Sequence, residues 1–135
     1  MERTYTTPLL DKLGVRPGAR VAFLDVADAG ARELISERAG AIDLDASADD
    51  YDLVFLAADS PAELARLPEL ARRIKPAGAV WVVSRKGRHA TLRDVEVIAA
   101  AKAAGLVDNK VVSFSDTHTA LRLVIPRSMR PKGGR

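Results

Sequence analysis

Three runs of apolar residues, each followed by a helical stretch, constrain this chain more than any other feature. Residues 20–26 read Arg-Val-Ala-Phe-Leu-Asp-Val, residues 52–58 read Asp-Leu-Val-Phe-Leu-Ala-Ala, and residues 79–84 read Ala-Val-Trp-Val-Val-Ser. Side chains along a strand point alternately to its two faces, so a run without polar alternation must be covered on both sides. That is the situation of inner strands in a parallel sheet with helices on each face.

The segments between these runs carry helix punctuation. Thr7-Pro8 opens a short helix with Leu9, Leu10 and Leu13 on one side and Gly14 as its stop. Pro17-Gly18 turns the chain into the first strand. Residues 29–39 read as a helix with Leu34 and Ile35 inward, followed by a brief strand at 41–44. Ser60-Pro61-Ala62-Glu63 is a capping-box pattern, and Leu64, Leu67, Leu70 and Ile74 make a helical stripe that Pro68 kinks or splits. Pro76-Ala77-Gly78 reads as a turn. Thr91 with Asp94 forms a second capping pattern ahead of a helix lined by Val95, Ile98, Ala99 and Ala103 and ended by Gly105. Lys110–Phe114 and Ala120–Ile125 are two strands around a polar turn, hence an antiparallel hairpin.

Alternating strands and helices imply right-handed crossovers. The predicted fold is a Rossmann-like α/β three-layer sandwich, with a mostly parallel sheet and a C-terminal antiparallel hairpin. One domain covers 1–126, and residues 127–135 form a flexible basic tail.

The length of 135 residues suits one domain. With 47% hydrophobic residues the chain is unlike a disordered one, and with no cysteine it holds neither disulfides nor thiolate metal sites. Met1 to Thr7 is polar and no apolar run approaches the roughly 20 residues of a membrane helix, so the expectation is a cytoplasmic protein without a membrane partner.

Three stretches resemble the class I methyltransferase pattern. Leu13-Gly14-Val15-Arg16-Pro17-Gly18-Ala19-Arg20-Val21 is similar to that family's lead into its first strand. Leu70 to Val80, with Ile74-Lys75-Pro76-Ala77-Gly78, is similar to its fifth-strand approach, and Ala104-Gly105-Leu106-Val107 to the lead into its closing hairpin. Thr7-Pro8-Leu9, Trp81-Val82, Lys86, Gly105-Leu106-Val107-Asp108 and Lys110-Val111 resemble a group of small bacterial proteins catalogued only as a domain of unknown function. That resemblance implies a reduced, methyltransferase-like domain. It also implies a tryptophan near His118 and a proline near Arg85, which this chain lacks.

On this fold a nucleotide cofactor lies over the first strand-to-helix turn, which needs glycines for close backbone approach. Here the turn reads Asp25-Val26-Ala27-Asp28-Ala29-Gly30, with β-carbons at Ala27 and Ala29. Asp25, Asp28, Gly30 and Asp59 are the candidate cofactor contacts. For both, the structural reading is favoured over the ligand one: Asp28 as a helix cap and Asp59 as a loop residue ahead of Ser60. Asp43 or Asp45 stands where ribose hydroxyls would be held. His89 and His118 have no orienting partner in the sequence, so no catalytic residue and no metal site is assigned.

Arg85-Lys86-Gly87-Arg88-His89 follows a buried strand and should emerge at the sheet's functional rim. Its cations are candidates for holding a phosphate or carboxylate. The expectation is therefore a non-catalytic module without a resident cofactor, binding a small anionic ligand or a protein. The alternatives are an S-adenosylmethionine-dependent methyltransferase, and a nucleic-acid binder using the 85–89 loop together with Arg127, Arg130, Lys132 and Arg135. A homodimer would form through the terminal hairpin or the helix at 91–104.

Overall fold

A computed structural model describes residues 7–130. Lys132 and Arg135 of the basic tail, and the Thr7 side chain expected to cap the first helix, lie outside what is described.

The elements follow the chain as α1 (Thr7–Leu13), β1 (Arg20–Leu24), α2 (Ala29–Arg38), β2 (Ala41–Asp43), β3 (Tyr51–Ala57), α3 (Leu67–Ala71), β4 (Ile74–Arg85), α4 (Asp94–Ala103), β5 (Val107–Ser113) and β6 (His118–Val124). Single 3-10 segments sit at Pro61–Arg66, Gly87–His89 and Arg127–Met129. One six-stranded sheet runs β2-β1-β3-β4-β6-β5. The first four are parallel, and β6 joins β4 and β5 antiparallel.

Both sheet faces are covered, as the uninterrupted apolar runs require. On one face Leu9, Leu10 and Leu13 of α1 and Ala31 and Ile35 of α2 pack on Phe23, Phe55 and Trp81. On the other, Leu64, Leu67 and Leu70 join Val97 and Ala101 of α4 over Val54, Leu56 and Val82. Phe23 and Phe55 stack at 5.7 Å between centroids, and Phe55 reaches Phe114 at 6.3 Å. Each such aromatic pair adds about 0.5–1.5 kcal/mol to the area it buries. Trp81 is fully buried, and its indole N–H donates to the Leu13 carbonyl at 3.1 Å.

Four expectations are corrected. The helical stripe ends at Leu70, and Ile74 lies in β4, where it pairs with Tyr51. The expected turn at 76–78 is instead an irregular stretch of β4, with Tyr51 opposite Ile74 but Leu53 already opposite Ala79. A β-carbon on Gly78 would lie 2.8 Å from the Tyr51 carbonyl oxygen, so only glycine lets the two strands close up there. Thr91 does not cap α4. Its hydroxyl donates to the Asp59 carbonyl at 2.6 Å, while Glu96 accepts from the Arg93 N–H at 2.9 Å at the helix start. The buried residues of α4 are Val97 and Ala101, whereas Val95 is 61% and Ile98 37% exposed.

The Ser60 pattern is half realised. Glu63 accepts from the Asp59 N–H at 2.8 Å and from the Ser60 hydroxyl, but Ser60 caps nothing in return, and the segment is 3-10 up to Arg66 before α3. Among the described residues no helix is long and apolar enough to cross a membrane.

Candidate functional site

The chain leaves β1 toward β2 on one side and returns to β3 on the other. The carboxyl ends of β1 and β3 therefore flank the point where strand order reverses, which is where open α/β sheets form their crevice. A cleft of about 440 Å³ opens there. Its floor is apolar, made by Val26, Ala57, Val83 and Phe114, and its rim carries Asp25, Asp28, Asp59 and Glu63 against Arg85 and His118. Gly30 is not part of the lining. It sits within the first turn of α2.

Most of these acids already serve the fold. Asp28 caps α2, accepting from the Ala31 N–H at 3.1 Å. Asp59 accepts from the Arg85 N–H at 2.8 Å and lies 3.8 Å from the Arg85 guanidinium, while its carbonyl receives the Thr91 hydroxyl. It thus staples the loop after β3 to the end of β4. The candidates for holding ribose hydroxyls are engaged as well. Asp43 accepts from the Tyr51 hydroxyl at 2.5 Å, and Asp45 accepts from the Ser47 N–H and hydroxyl. Burial, then the bond to Asp43, raise the Tyr51 phenol above its usual value.

Asp25 is different. It sits at φ 63°, a region a non-glycine residue rarely occupies, and its carboxylate has no hydrogen-bond or salt-bridge partner among the described residues. Aspartate tolerates this conformation better than most residues do.

S-Adenosylmethionine is the cofactor this scaffold implies. The space over Val26–Asp28 is open. Ala27 lines the cleft, and Asp28, Asp43, Asp45 and Asp59 are each bonded within the chain.

Beside the cleft runs a second depression of about 700 Å³. Arg85, Lys86, Arg88 and His89 form one wall, and Asp116, Thr117 and His118 form the other. The first wall is the 85–89 loop, and what faces it follows from the register of β4 and β6. Arg85 and His118 are register partners across β4 and β6. These are also the neighbourhoods where the expected proline and tryptophan are missing. Lys86 is anchored to the hairpin, its N–H donating to the Thr117 carbonyl at 3.0 Å and its ammonium to the Ser113 hydroxyl at 2.7 Å. Ser115 accepts from the N–H groups of Thr117 and His118 and so rigidifies the facing turn.

Gly87, at φ 70°, swings the chain so that Arg88 and His89 stand exposed on a 3-10 turn. Their side chains have no partner among the described residues. Arg130, part of the basic tail, is not in this depression, and its Nε donates to the Ile125 carbonyl. Among the described residues no group of three or more His, Cys, Asp or Glu is placed to hold a metal.

Residues 11–127 match the family described as "Protein of unknown function (DUF3052)". No curated protein matches the chain. Among solved structures, an S-adenosylmethionine-dependent methyltransferase from Aquifex aeolicus is similar at 16% identity and TM-score 0.62, over 87% of this chain and 88% of that one. Fibrillarin from Aeropyrum pernix, solved with natively bound S-adenosyl-L-methionine, is similar at 15% identity and TM-score 0.61, over 83% of this chain and 69% of its own. A TehB-like methyltransferase from Corynebacterium glutamicum gives 12% identity and TM-score 0.56, with 87% and 85% covered. At these identities the likeness is one of fold, and the fold is that of the class I methyltransferases.

Proposed function

The chain belongs to the DUF3052 family of proteins of unknown function, and from that premise we propose that it is a non-catalytic binding module for a small anionic ligand. The ligand would sit between Arg85–His89 and the hairpin turn. The observation that carries this reading is the convergence of Arg85, Lys86, Arg88 and His89 with His118 on one depression that contains a single acid, Asp116. Lys86 keeps donor capacity beyond its bond to Ser113, because an ammonium has three N–H groups. Arg88 offers a planar fork suited to two oxygens of a phosphate or carboxylate.

Scale decides what affinity to expect. These cations are mostly exposed, and exposed charge pairs contribute about 0.2–1 kcal/mol each. A few such contacts sum to at most about 4 kcal/mol, which corresponds to roughly millimolar binding, weakening as salt rises. That suits a ligand sensed at cellular concentration more than a tightly held cofactor. The internally bonded acids around the cleft support a reading without an adenosyl cofactor.

Calorimetric titration with inorganic pyrophosphate at low salt tests the assignment. The expected result is saturable binding that weakens about tenfold, or about 1.4 kcal/mol, in the Arg88→Ala/His89→Ala double variant. Those two side chains support no other contact among the described residues, so the fold should stand. Equal affinity in both proteins would remove the basis of the proposal.

One observation favours a second reading, a methyltransferase with an unusual cofactor turn: the cleft beside the groove is open and has an apolar floor. Titration with S-adenosylmethionine under the same conditions separates the two.

A further inference from the structure

A second cationic pocket lies at the opposite end of the sheet, where the parallel strands begin. It encloses about 240 Å³. Arg16 and Gly14 come from the approach to β1, Asp52 and Leu53 from the start of β3, Lys75 and Ala77 from the start of β4, and Arg122 from late β6. Topology explains the gathering. β6 is antiparallel to β4, so its later residues return to the amino ends of the parallel strands.

The charges there are uneven. Asp52 is the acid in the lining, and it is already neutralised. One of its oxygens is 3.1 Å from the Lys75 ammonium, and the other accepts from the Arg20 N–H at 2.9 Å. Arg16 and Arg122 have no carboxylate partner among the described residues. The contact of Arg122 to the Asn109 side-chain oxygen is long, at 3.5 Å. Partial burial of this guanidinium, and Arg130 nearby, lower its proton affinity. A half-buried cation without a counter-ion is costly, and an anion that replaces the missing one is favoured.

We propose that this pocket binds a phosphoryl dianion, held by Arg122 and Arg16 with Lys75 at its edge. Two uncompensated cations match a charge of minus two. The volume suits one phosphate group, free or as the end of a small monoester. The site is independent of the rim groove, since the two share no residue.

Trp81 gives a local readout. It is the one tryptophan of the chain, it is the register partner of Arg122, and its indole bonds the carbonyl of Leu13, next to Gly14 of the pocket wall. Inorganic phosphate and glycerol 3-phosphate, titrated at constant ionic strength, should each produce a saturable change in Trp81 fluorescence. Tighter binding of the first marks free phosphate, and of the second a phosphate ester. Arg122→Gln should weaken the response at least about tenfold and the exposed Arg16→Gln about two- to fivefold, whereas Arg88→Ala/His89→Ala should leave it intact. Arg16 is exposed, so its variant keeps the test valid should Arg122→Gln fail to fold. No saturable change, or a response unaltered in Arg16→Gln, overturns the proposal. A response lost only in the Arg88/His89 variant would also overturn it and place phosphate at the rim.

Discussion

Tyr51 shows how a single buried residue ties the sheet to a loop. Its ring is fully buried, its hydroxyl donates to Asp43 and accepts from the Ala48 N–H, and the Arg20 guanidinium lies 5.5 Å from the ring centre. Burial and the bond to Asp43 raise the phenol's pKa, so on titration the unfolded chain loses this proton first. Stability from this residue is therefore complete below about pH 10 and declines as pH rises above it. Urea denaturation at neutral and at alkaline pH checks this. Tyr51→Phe should cost about 1–2 kcal/mol at neutral pH, by leaving Asp43 and Ala48 without a partner, and should flatten the alkaline decline. Nothing in the sequence announces the pair. Asp43 and Tyr51 are eight positions apart, and only the parallel placement of β2, β1 and β3 brings them together. Two aspartates that composition alone leaves free for a ligand, Asp43 and Asp59, are thus committed to the fold.

At the scale of elements, legibility followed periodicity. Strands β1 and β3 and the part of β4 after Gly78 were readable because a doubly covered strand has an unbroken apolar signature. The hairpin was readable from two runs around polar residues. Ile74 misled because it stands four residues after Leu70, a spacing that fits a helix face as well as a strand start. Helix α4 misled for another reason. Val95-Glu96-Val97-Ile98-Ala99-Ala100-Ala101 is apolar nearly all round, so several faces satisfy a 3.6-residue period and the sequence cannot choose among them. Packing chose Val97 and Ala101. The consequence is testable by denaturation. Val97→Ala should cost about 1–3 kcal/mol, whereas Val95→Lys/Ile98→Lys should stay within about 0.5 kcal/mol per site.

On the whole molecule, two zones of opposite character share the carboxyl rim of the sheet. The switch-point cleft is acidic on one side, with carboxylates largely satisfied by the chain. The groove next to it is cationic, with Arg88 and His89 unengaged among the described residues. The sequence placed the 85–89 loop at the rim because it follows a buried strand. It could not place Asp116–His118 opposite, since that depends on the β4–β6 register, which no local signal encodes. The scaffold is that of the methyltransferases, but a fold does not carry its relatives' chemistry. What distinguishes a binding module from an enzyme here is which zone a ligand occupies. A backbone amide chemical-shift titration of the ¹⁵N-labelled protein, with pyrophosphate and then S-adenosylmethionine, decides it most directly. The account predicts shifts from pyrophosphate concentrated at Arg85–His89 and Asp116–His118, fading as salt rises, and little response to S-adenosylmethionine. Tight, saturable shifts at Asp25–Ala29 with S-adenosylmethionine, and none at the loop with pyrophosphate, would contradict it.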